Sequence, residues 1–65
     1  MLVYVITKSY TGETVKTVKS TKEVERFVFK QANKLNFGFY RYYNLRGDNY
    51  YDCGPVTYIV KTYME

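Results

Sequence analysis

The side chains best suited to chemistry are scarce. Histidine is absent from all 65 residues, which removes imidazole bases, catalytic triads and most zinc sites. The one cysteine, Cys53, has no histidine to activate it and is read as an inert small residue beside a turn. Six carboxylates remain: Glu13, Glu23, Glu25, Asp48, Asp52 and Glu65. Glu23 and Glu25 suit the start of a helix, and Asp48 and Asp52 suit a turn. Neither phosphate-cradling glycine motif, GxGxxG or GxxxxGK[ST], occurs. Arg46-Gly47-Asp48 spells the integrin tripeptide, yet glycine beside aspartate is also what a hairpin turn needs. The expectation is a protein that is not an enzyme, with no metal, no cofactor and no small-molecule substrate.

Tyrosine is what the chain has in excess. Nine tyrosines and four phenylalanines bring the aromatic fraction to 20%, and 46% of residues are apolar. That is enough to fold, although a chain of this length buries only about 60% of its unfolded surface. Net charge is +4 with a pI of about 9.2, favouring anionic partners over basic ones. The start of the chain lacks a basic region and a cleavage site, and its apolar run is too short for a membrane span. With one thiol and no disulfide, the expected location is cytoplasmic.

These side chains must be placed by a few short elements in one domain over residues 1–65. Leu2 to Tyr10 is a β-branched and aromatic run, hence a strand. Thr11-Gly12-Glu13 turns it into a second strand over Thr14 to Lys19. Ser20 and Glu23 have capping-box spacing, and a helix follows to about Leu35. Val24, Phe27, Val28, Gln31 and Leu35 share its inner face. Phe39 to Leu45 is a third strand, and Arg46 to Asn49 a turn. Tyr50 to Cys53 is at most a short return strand. Val56 to Met64 is the last.

The fold class expected is α+β, ββαββ, a four-stranded mixed sheet in the order 2-1-4-3 with one helix on one face. The first and last strands are apolar on successive residues and belong in the centre, parallel to each other. The lysine-bearing second strand suits an edge. This topology resembles that of the immunoglobulin-binding domains of streptococcal surface proteins. The resemblance is one of fold; no motif is shared, and no function is implied.

One helix covers one side of such a sheet, yet the central strands are apolar on both. Large residues are therefore left on the open face, and tyrosine serves a surface that must be soluble when free and adhesive when bound. The expected function is a small binding protein, of the accessory or inhibitor type that phages and mobile elements encode, docking on a host protein. The candidate protein-binding residues are Tyr40, Tyr42, Tyr43, Tyr50 and Tyr51. The rival expectation is nucleic-acid binding, through Lys22, Arg26, Lys30 and Lys34 on the outer face of the helix and Arg41 among the tyrosines. A third is a homodimer whose sheet faces meet.

Overall fold

A computed structural model describes residues 1–65. The elements in chain order are β1 (Leu2–Lys8), β2 (Thr14–Val18), α1 (Thr21–Lys34), β3 (Arg41–Leu45), β4 (Asp48–Asp52) and β5 (Thr57–Met64). The class is α+β, with one helix and one sheet. The sheet has five strands rather than four, in the order β2-β1-β5-β4-β3. The expected parallel centre is corrected: β1 and β5 are antiparallel neighbours, with Ile6 opposite Val60. The cause is β4. A full strand there adds one reversal of the chain and so inverts β5 relative to β1. The topological resemblance to the immunoglobulin-binding domains depended on a parallel central pair and falls with it.

The β3–β4 hairpin explains itself once its centre is known. Leu45 pairs with Asp48, so Arg46 and Gly47 form a two-residue loop. Both have positive φ, 54° and 86°, the requirement of a type I′ turn. Around that loop the sequence RYYNL-RG-DNYYD is nearly palindromic. Folding it back places Asn44 on Asn49, Tyr43 on Tyr50, Tyr42 on Tyr51 and Arg41 on Asp52. Like rings meet like rings, and a cation meets a carboxylate.

The helix begins as its capping residues dictate. The Glu23 amide donates to Ser20 Oγ at 3.2 Å. The Glu23 carboxylate reaches one residue further back than a standard capping box and accepts from the Lys19 amide at 3.4 Å. The helix ends at Lys34, and Asn36 turns the chain with φ of 58°. Leu35, expected on the inner face, is therefore past the last turn and exposed. Ala32 takes its place, giving Val24, Val28 and Ala32 as a buried i, i+4, i+8 line.

That line packs on Ile6, Val18, Cys53, Tyr58 and Val60, with Tyr4, Val15, Phe27, Tyr40, Tyr51 and Val56 around the rim. Alternation sends the intervening residues to the opposite face. There Val3, Val5, Ile59, Tyr50 and Tyr43 lie with no helix over them. Val3 is nevertheless buried by its neighbours, whereas Tyr43, Leu45 and Tyr63 are exposed.

Candidate interaction site

The five candidate tyrosines all sit on β3 and β4 or just before them, but the sheet divides them. The register puts Tyr42 opposite Tyr51 and Tyr43 opposite Tyr50. Tyr51 packs toward the core, so Tyr42 and Tyr51 face the helix side, with Tyr40. Tyr43 and Tyr50 face the open side. Alternation along the strand already sets Tyr43 opposite Tyr40 and Tyr42; the register adds that Tyr50 joins Tyr43 and Tyr51 joins Tyr42, so the five tyrosines form two groups rather than one platform.

On the helix side, the Tyr51 ring lies 5.7 Å from that of Tyr40 and 5.1 Å from that of Tyr42. The Tyr42 hydroxyl donates to Asn49 Oδ1 at 2.7 Å, and Asn44 Nδ2 donates to the same oxygen at 3.1 Å. This small network fixes the Tyr42 ring although half of its surface is open. Burial raises the Tyr51 phenol above its ordinary 10.0, aided by Tyr42, Glu25 and Tyr40. Burial also raises Tyr40, with Glu25 and Cys53 adding to it. Both phenols therefore stay protonated and available as donors through the neutral range.

On the open side, Tyr43 and Tyr50 stack with centroids 5.1 Å apart and planes 2° from parallel. Cross-strand pairing continues their row through Ile59 to Thr7. Arg41 is on this side too, 3.7 Å from Asp52, and so is separated from the other basic candidates. Lys22, Arg26 and Lys30 line the exterior of α1, exposed, with Lys34 at its end.

Between the helix exterior and β3 runs a shallow groove. Two concavities of about 330 and 360 Å3 share Glu25 and Tyr40. The first adds Lys22, Arg26 and Phe29, and the second Thr21, Tyr42 and Tyr51. Phe29 is half exposed. Asn44, Asn49 and Glu25 were not singled out from the sequence. The palindrome would have found the asparagine pair, and Glu25 lies one turn from Phe29.

Cys53 is completely enclosed. Its thiol donates to the Val28 carbonyl at 3.6 Å, and burial, then Asp52, push its pKa above 9.0. Its place is in the core. No cluster of three or more Cys, Asp or Glu is close enough to hold a metal ion. No helix is long and apolar enough to cross a membrane.

No protein-family model matches this chain. Neither a curated protein nor a solved structure does.

Proposed function

We propose that this chain is a non-catalytic binding protein, of the accessory or inhibitor kind, that captures an extended segment of a partner protein along the free edge of β3. The observation that carries this reading is the character of that edge. β3 is a terminal strand, and all five of its residues are exposed. Its one charged residue, Arg41, is drawn to Asp52 of β4, and it contains no lysine, no proline and no bulge, the usual means of blunting an edge. β2, the opposite edge, has Lys16 and an irregularity in its ladder where Ile6 gives way to Thr7.

The division of the tyrosines fits this mode. A strand added to β3 presents side chains alternately to the two faces of the sheet. Tyr40, Tyr42 and Tyr51 would meet one set, and Tyr43 and Tyr50 the other. Rigid aromatic rings supply contact area at low entropic cost.

The hairpin also fixes which main-chain groups are free. With Leu45 and Asp48 closing a two-residue turn, the ladder alternates so that Arg41, Tyr43 and Leu45 bond to β4. The amides of Tyr42 and Asn44 then point outward. Replacing Asn44 with proline removes one outward donor, and Tyr43→Ser removes one ring. Capture experiments from nuclease-treated lysate, with the two variants beside the unaltered chain, test the idea. Proteins retained by the unaltered chain and lost by both variants support it. Equal retention by Asn44→Pro, or no protein retained, overturns it.

A further inference from the structure

The net charge of this protein is confined to one side. Ten cations face six carboxylates in the whole chain. The segment from residue 16 to residue 34 holds six of those cations: Lys16, Lys19, Lys22, Arg26, Lys30 and Lys34. It holds two carboxylates, Glu23 and Glu25. The four cations elsewhere are balanced by four carboxylates, so the excess of +4 belongs wholly to the segment of β2, α1 and the link between them. None of the six cations is in an ion pair; the two salt bridges of the molecule, Lys8–Glu13 and Arg41–Asp52, lie elsewhere. Glu23 is already engaged with the Lys19 amide.

The cations are also ordered. Lys22, Arg26 and Lys30 recur every four residues, a rise of about 6 Å per step along the helix. Beside that row, on the β3 side, lie the exposed ring of Phe29 and then Tyr40 and Tyr42, all lining the groove described above. A row of cations flanking a row of open aromatic faces is the arrangement that holds a single strand of nucleic acid: phosphates on the cations, bases on the rings. A duplex hides its base faces and would leave the rings without a role.

We propose that the groove between α1 and β3 binds single-stranded nucleic acid, with Lys22 and Arg26 along the phosphates, Lys30 continuing the cationic row past the groove toward β2, and Phe29 and Tyr40 under the bases. Glu25 is the one carboxylate in the groove, and it opposes the phosphates. This site shares Tyr40 and Tyr42 with the edge of β3, but the outward amides, Tyr43 and Asn44 are not part of it, and Lys22, Arg26 and Phe29 are not part of the edge, so the variants that test one leave the other intact. The two proposals therefore stand or fall apart.

The test is fluorescence anisotropy with a labelled oligothymidylate of about 12 nucleotides, beside a duplex of the same length and heparin. The expected result is binding to the single strand in preference to both, weakening steeply as salt rises. Arg26→Glu with Lys30→Glu should weaken it by about tenfold or more and flatten the salt dependence. Phe29→Ala should weaken it by about fivefold with the salt slope unchanged, and Glu25→Gln should tighten it. All four positions are exposed, and circular dichroism verifies the fold of each variant. No binding at about 50 mM salt overturns the proposal. So does equal binding to duplex or heparin together with no effect of Phe29→Ala, which would mark a generic polyanion surface.

Discussion

Cys53 and three tyrosines share one electrostatic circumstance. Burial holds the Cys53 thiol above its ordinary 9.0 and the Tyr40, Tyr51 and Tyr58 phenols above 10.0. Each is an acid whose neutral form the folded chain prefers. Its contribution to stability is complete below the unfolded pKa and is lost as pH rises through the folded one. Stability should therefore be level through neutrality and fall from about pH 9, with a further fall above 10 as the tyrosines join. Thermal unfolding followed from pH 7 to about 11 measures this, and Cys53→Ala should remove the first part of the decline. A melting temperature that does not change over that range would contradict the burial of these groups. At this scale the sequence was partly legible. Cys53 reads as a small residue beside a turn, and the fold encloses it in the core. The face of each tyrosine was not legible, because a shift of one residue in register exchanges the two sides.

Elements are joined here by contacts that no element predicts. The chain leaving α1 turns at Asn36, and Phe37 then lies on Gly54, in the turn between β4 and β5. The Gly54 amide donates to Asp52 Oδ1 at 2.9 Å, and Cys53 N donates to the Val56 carbonyl at 2.8 Å. Gly54 has φ of 87°, and a Cβ there would stand 2.7 Å from the Phe37 ring. Gly47, with φ of 86°, has open space instead. Gly47→Ala should cost about 1–2 kcal/mol from backbone strain alone. Gly54→Ala should cost more, since the ring must also move. Urea unfolding of the two variants compares them, and equal losses would mean that Phe37 does not rest on the turn. The hairpin β1–β2 and the helix start at Ser20 were legible in local pattern; the place of β3 was not, because it was assigned by elimination within a four-strand order. β4 was not, because aspartate and asparagine at its ends are poor strand formers. They are accommodated there because Asp48 closes the turn and Asp52 binds Arg41 and the Gly54 amide. Counting four strands, with the return strand at Tyr50–Cys53 left open, rather than five was enough to invert the centre of the sheet.

For the molecule as a whole, two asymmetries matter: one face of the sheet has a helix over it, and one side carries the whole excess charge. The second has a thermodynamic consequence that needs no ligand. Six unpaired cations between Lys16 and Lys34 repel one another in the folded chain more than in the expanded one, and Lys22 also stands in the first turn of α1, where the helix dipole disfavours a cation. Salt screens exposed charges over a Debye length of about 10 Å at 0.1 M. The melting temperature should therefore rise between about 0.01 M and 0.3 M sodium chloride, by a few degrees for a domain of this size. Lys30→Glu should raise it at low salt and reduce its dependence on salt, because a carboxylate then stands one turn from Arg26. A melting temperature that falls with salt, or a Lys30→Glu variant that melts lower at low salt, would mean that these cations are compensated within the fold. They would then not be a surface held open for an anionic strand.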